Sequence, residues 1–425
     1  MTFISQLLII LAPTYLIRFS LYGMPVNVYL LILLGFLFGF AAWVLYTKRV
    51  KEFWSFSWVT DAKMLVIAAS VFLLACTISL FVSGFSVDKL GWYLVVGLLP
   101  IKTFFALLFL HRTYTDSKFI ESYSILYLFL LFCGLLAIIQ YHTLWLLDPA
   151  YWGNSQEPKR ATSLWEQANM FSLFIGPLLV FLLPHLWSKI LTLSQMNSRV
   201  ADKEVEFTST GLAAYSLRRS ENFWGISFLV CWGVGLVGLF YSQSRGAWVA
   251  LVVALGVFAL LTLSKRQLIA AAFLGLVGFG VFWSTEFRYR LITPFHGEQS
   301  AGERPKLWNI GLKMAEENYI LGKGLKGFGA VFDEYKAKLG YADLKHYNSP
   351  HNIFLNFWID TGLLGLLSFL FVIGFVMWQG IKNKQNTVRL GLMLVIVVMI
   401  IHGLLDTPYL KNDLAAQFWI LLALF

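Results

Sequence analysis

A few polar positions in this chain carry residue types that could do chemistry, and all of them interrupt or border long apolar runs. Arg245 sits in Ser242-Gln243-Ser244-Arg245-Gly246, a link too short to carry a guanidinium out to a solvated lobe. Ser244 has the right type to cap a following helix, whose free N–H groups and dipole favour anions. An arginine there suits phosphate oxygens, because its planar fork binds two at once. Arg304, in Gly302-Glu303-Arg304-Pro305-Lys306, and the pair Lys159-Arg160 are further cations of the same kind. His351 lies in Ser349-Pro350-His351-Asn352. With Ser349 as cap and Pro350 in the first turn, the positive helix end would keep His351 neutral and able to take a proton, as a general base must. Asp406, four residues after His402, could orient such a base or pair with an arginine. Each residue also has a plainer reading. Arginines at a bilayer edge anchor headgroups, the simplest reading of Arg288 and Arg290, and a histidine at a helix start can bond the backbone.

The elements that must position these residues are membrane helices. Only 13% of the 425 residues are charged and 58% are hydrophobic, with a mean hydropathy of +0.69, whereas soluble domains are about 25% charged. Apolar runs occupy 3–21, 28–46, 62–82, 92–110, 122–141, 168–187, 223–241, 247–263, 268–283, 353–378, 390–405 and 414–425. Most approach the length that crosses a bilayer. The fold class expected is an all-α polytopic membrane protein of about twelve spans, forming a single transmembrane domain over 1–425. Lys and Arg gather in every second loop: Lys48, Arg49, Lys51 and Lys63; Arg112 and Lys118; Lys189, Arg199, Lys203, Arg218 and Arg219; Lys265 and Arg266; Lys382, Lys384 and Arg389. These loops are therefore cytoplasmic. The net charge of +10 is accounted for in this way and gives no sign of a nucleic-acid partner. Cys76, Cys133 and Cys231 fall inside apolar runs and read as small core residues.

The other face receives Lys159, Arg160, Arg245, Arg304, His351 and Asp406 together. It also receives the one long polar interval, 285–350, between the ninth and tenth runs. Within that interval, 305–318 has helical apolar spacing, with Pro305 suited to a first helical position. Gly322-Lys323-Gly324 and Gly327-Phe328-Gly329 read as turns or close backbone approaches. On the cytoplasmic side, 188–222 is polar and reads as a flexible connector. No paired-histidine helix, acidic cluster or cysteine array has metal-ligand spacing, and no phosphate-binding glycine fingerprint is present.

Three stretches make the chain similar to the O-antigen ligase and polymerase superfamily of bacterial envelope glycosyltransferases: SQSRGAWVALVVALGVF around Arg245, GERPKLWNIGLKMAEENYILGKGLKGFG around Arg304, and NSPHNIFLNFWIDTGLLGLLSFL around His351. RATSLWEQANMFS and HGLLDTPYLKN are weaker matches. The resemblance implies a metal-independent, cofactor-free transferase at the periplasmic face of the inner membrane. It implies a glycan on undecaprenyl pyrophosphate as donor and lipid A–core as acceptor, with membrane lipids around both. In that scheme Arg245 and Arg304 bind the pyrophosphate, His351 activates the acceptor hydroxyl, and Arg160 assists, with Lys159, Asn352, Asp406 and Arg288 as further substrate contacts. One departure is Tyr319-Ile320-Leu321 before Gly322, where family members often have a proline. The alternatives are an O-antigen polymerase, a protein O-oligosaccharyltransferase and, outside enzymes, a lipid flippase or transporter.

Overall fold

The computed structural model describes residues 2–21, 24–114, 123–153, 159–201, 209–283, 288 and 299–425. Lys118, Lys203, Arg290 and Glu298 lie outside the described residues, as does most of the first part of the 285–350 interval. The chain is mostly helical: α1 Thr2–Ile10, a two-stranded hairpin of β1 Arg18–Leu21 and β2 Met24–Asn27, α2 Val28–Tyr46, α3 Val50–Ser55, α4 Lys63–Val82, α5 Val87–Tyr93, α6 Leu99–Thr113, α7 Ser124–Thr143, α8 Ala168–Ala201, α9 Ser209–Tyr241, α10 Arg245–Thr262, α11 Lys265–Trp283, α12 Gln299–Glu317, α13 Gly327–Lys338, α14 Ile353–Lys382, α15 Thr387–Gly403 and α16 Asn412–Leu422. Among the described residues, eight helices are long and apolar enough to cross a membrane, with three shorter apolar helices beside them. The protein is a multi-pass membrane protein.

The first apolar run departs from the expected single span. Its helix stops at Ile10, a 3₁₀ turn follows over Ala12–Leu16, and the chain then enters the hairpin. Pro13 lacks the N–H that would continue the α-helix and clashes with the preceding turn. The 188–222 segment also differs from a coil connector. Backbone helix extends into it from both sides, in α8 and α9, with 202–208 outside the described residues.

Helix α15 is buried on every face from Leu390 to Met399, the pattern of a helix surrounded by others. It packs against α8, α10 and α14, while α14 also packs along α4. At one end of this bundle the carboxylate of Asp61 takes both Arg112 and Arg389. Three loops grouped as one face from their charge thus meet through a shared ion pair.

At the other end, α12 and α13 build a small core of their own. Leu307, Ile310, Met314, Phe328, Phe332 and Tyr335 pack with Ile359 of α14. The 305–318 helix begins earlier than expected, at Gln299, which leaves Pro305 inside it and carries Arg304 on the helix rather than ahead of it. Gly322 and Gly324 turn in the left-handed region, but Gly327 and Gly329 belong to α13.

A break in α14 fastens this cap to the membrane bundle. Gly362 has φ 66° and ψ −168°, a conformation essentially confined to glycine. The break frees backbone groups that the turn after α12 then satisfies. Leu363 N–H donates to the carbonyls of Tyr319 and Ile320, both at 3.0 Å, and Lys323 N–H donates to Ile359 at 2.6 Å. Beside the break, the buried Asp360 carboxylate accepts Gly327 N–H at the start of α13 (3.2 Å) and the Asn356 amide (2.8 Å). A carboxylate favours that helix end. Gly362→Ala would force a Cβ against the Ile320 carbonyl in a disallowed conformation, at a cost of about 1–3 kcal/mol or more. We expect faster protease cleavage within 299–345 and reduced activity; unchanged cleavage would remove the anchoring role.

Candidate active site

Five of the residues singled out from the sequence line one cavity of ≈ 550 Å³: Arg160, Arg245, Arg304, His351 and Asp406. They come from the approach to α8, the start of α10, α12, the residue before the α14 cap, and the loop after α15. The remaining wall includes Asn169, Gln243, Trp308, Lys345, Tyr347 and His402.

The turn between α9 and α10 sets Arg245. Gln243 is left-handed at φ 54°, an uncommon state for a residue with a side chain. Ser244 occupies the cap position of α10, but its side chain makes no capping bond, in contrast to the expectation from sequence. Gly246 lets α15 close onto this turn. A Cβ built there would stand 2.7 Å and 2.9 Å from Cδ2 and Nε2 of the buried His402 ring. Gly246→Ala should therefore displace His402 and the Asp406 loop, costing about 1–3 kcal/mol of stability together with activity. Retention of wild-type activity and Tm would show that the ring can yield.

Arg160 is held from two sides. Its Nε donates to the Ser242 carbonyl at 3.2 Å, and its terminal nitrogen to Asn169 Oδ1 at 2.6 Å. Ala161 N–H donates to Tyr241 at 2.9 Å, so the Arg160 segment and the Arg245 turn are stitched together.

His351 lies outside the helix, which corrects the expected placement in its first turn. The cap of α14 is Asn352, not Ser349: its side-chain oxygen accepts Phe354 N–H and Leu355 N–H at 3.0 and 3.1 Å. His351 itself is left-handed at φ 49°, backbone strain of the kind that gathers at functional sites. Its Nδ1 is 3.5 Å from Asp406 Oδ1. The Tyr347 ring meets the imidazole edge-on with centroids 5.9 Å apart, and the Tyr347 hydroxyl donates to Glu303. Burial and that carboxylate push the Tyr347 phenol up to about 12. Burial alone would raise Asp406. The His351 contact, with Lys411 and His402 nearby, outweighs it and holds the carboxyl well below the usual range. The Asp406 carboxylate also accepts Thr407 N–H at 2.8 Å.

Three of the sequence candidates stand elsewhere. Asn352 is committed to the α14 cap, with its amide 3.4 Å from the Leu404 carbonyl. The Lys159 ammonium lies 5.9 Å from the Tyr141 ring centroid. Arg288 is exposed and stacked over Trp283 at 5.8 Å. Neither cation lines the cavity. Asn169, Gln243 and Lys345 were not legible as site residues, because uncharged amides and one more loop lysine carry no signal without the fold.

Residues 227–370 match the family model Wzy_C, described as O-Antigen ligase. That stretch of the chain is similar to O-antigen ligases. No curated protein matches the chain. The O-antigen ligase match contains Arg245, Arg304 and His351, while Arg160 and Asp406 come from outside it and close the same cavity. A glycosyltransferase-like ligase or polymerase role follows from the family.

Proposed function

We propose that the protein is an O-antigen ligase, transferring a glycan from undecaprenyl pyrophosphate to lipid A–core at the periplasmic face of the inner membrane. The observation that carries this reading is the convergence of three arginines and a carboxylate-backed histidine on one cavity. Asp406 faces Nδ1 of His351, which favours the tautomer with the proton there and leaves Nε2 as the acceptor. Nε2 takes the proton of an acceptor hydroxyl as its oxygen bonds the anomeric carbon of the donor. The bond from that carbon to the pyrophosphate oxygen breaks with its electron pair. The departing pyrophosphate gains negative charge, and fixed guanidinium groups stabilise it most at that point. Arg245 and Arg304 are assigned to the pyrophosphate, and Arg160 to an assisting position.

Lipopolysaccharide from a deletion strain tests the assignment. A ligase leaves bare core with lipid-linked polymer accumulating, whereas core capped by single units identifies a polymerase. The three guanidiniums also supply the charge that a divalent ion would otherwise bring. Transfer by the purified protein should therefore survive a chelator, and strict dependence on added divalent cation would count against the scheme.

A further inference from the structure

A second cavity, of ≈ 340 Å³, carries charged residues in a largely apolar lining. Its cations are Arg18, Lys326 and Lys411, against one lining acid, Asp88, and its aromatic walls are Tyr15 and Trp92. The two linings draw on neighbouring positions of the chain. Asn169 lines the first and Met170 the second; Asp406 lines the first and Lys411, five residues on, the second. Two of the three cations are tied down. Arg18 pairs with Glu166 at 3.2 Å and Lys326 with Asp88 at 2.7 Å, which fixes them at the wall. Lys411 has no carboxylate within ion-pair distance among the described residues, although its charge acts on both Asp406 and Asp413. The cavity thus offers one cation for a ligand and two fixed cations around it, the Arg18 guanidinium lying over the Tyr15 ring at 5.6 Å and the Lys326 ammonium over the Trp92 ring at 5.3 Å.

We propose that this second cavity binds a phosphate-bearing saccharide of the acceptor glycolipid, with Lys411 as its phosphate contact. The proposal rests on the transferase reading above, in which donor and acceptor must lie side by side. The acceptor sugar then lies in the second cavity with its hydroxyl directed toward His351, while the donor diphosphate occupies the arginine-lined cavity. Lys411 acts here as a specificity residue and takes no part in the transfer step.

The test uses the full-length protein in phosphatidylcholine nanodiscs, with lipid A–core and its phosphatase-treated form as probes. The phosphorylated form should bind about tenfold more tightly, the scale of one charge-assisted contact. Lys411→Gln should erase that preference and Lys411→Arg should keep it. In transfer assays Lys411→Gln should raise KM for the acceptor by a similar factor with donor KM unchanged, and should lower kcat less than it raises that KM, because the Lys411 charge also acts on Asp406. Equal binding of the two forms by wild type would overturn the proposal. So would equal competition by phosphatidylglycerol, which would mark a general headgroup site. His351→Asn, which tolerates the left-handed backbone at this position, should keep the preference for the phosphorylated form. If that variant still transfers glycan while the phosphate preference persists, the transferase scheme fails and the binding site stands.

Discussion

His351→Asn should reduce glycan transfer by about 10²–10⁴-fold, the usual contribution of a positioned general base, with membrane insertion and donor binding intact. Asparagine is the better replacement, because residue 351 is left-handed at φ 49° and Asn tolerates that backbone more readily than Ala. Asp406→Asn should fall in the same direction. It leaves a side chain of the same size facing Nδ1 but removes the charge that fixes the tautomer and stabilises the imidazolium. The double variant should be little worse than His351→Asn alone, since residues that act as one unit are strongly non-additive. Surface glycan attachment in the single variants, or turnover of lipid-linked donor by the purified proteins, reads this directly. Wild-type transfer by His351→Asn would eliminate the base.

The basic and titratable residues of the site were legible because charge is scarce in an apolar chain, so each one had to be accounted for. Alternation of basic loops then sorted Arg160, Arg245, Arg304, His351 and Asp406 onto one face. Their meeting in a single cavity agrees with that sorting. What escaped was set by tertiary packing. Helix α13 opens with Gly327 and Gly329, which read locally as breakers, yet its N–H groups are held by Asp360 from a distant helix. The α14 cap went to Asn352 rather than to Ser349 three residues earlier, and the two residue types cap too similarly for propensity to separate them. The fit of Gly246 against the His402 ring has no sequence signature beyond a glycine after an arginine. Arg288 shows the converse. Its charge qualified it from sequence, but it stacks on Trp283 and stays exposed.

Arg245→Lys and Arg304→Lys should each lower kcat by about 10²–10³-fold, the scale seen when one preorganised donor to a developing anion is removed. Lysine keeps the charge, so simple attraction of an anionic donor survives and KM for the donor should change little. What is lost is the fork that can meet two phosphate oxygens together. The two arginines reach the cavity by different routes, Arg245 from the first residue of α10 and Arg304 from within α12. One variant therefore tests the membrane bundle and the other the cap. Weakening of Arg304 by detachment of the cap should appear equally in Gly362→Ala, whereas loss of a pyrophosphate contact should leave protease resistance within 299–345 unchanged. Arg288→Ala serves as the internal comparison and should stay within about twofold of wild type, since headgroup-type contacts of an exposed side chain contribute little. If the Arg245 and Arg304 lysine variants behaved like Arg288→Ala, the cavity would still exist but its guanidiniums would have no part in driving off the pyrophosphate. The energy for breaking the glycosyl bond would then have to come from elsewhere in the protein.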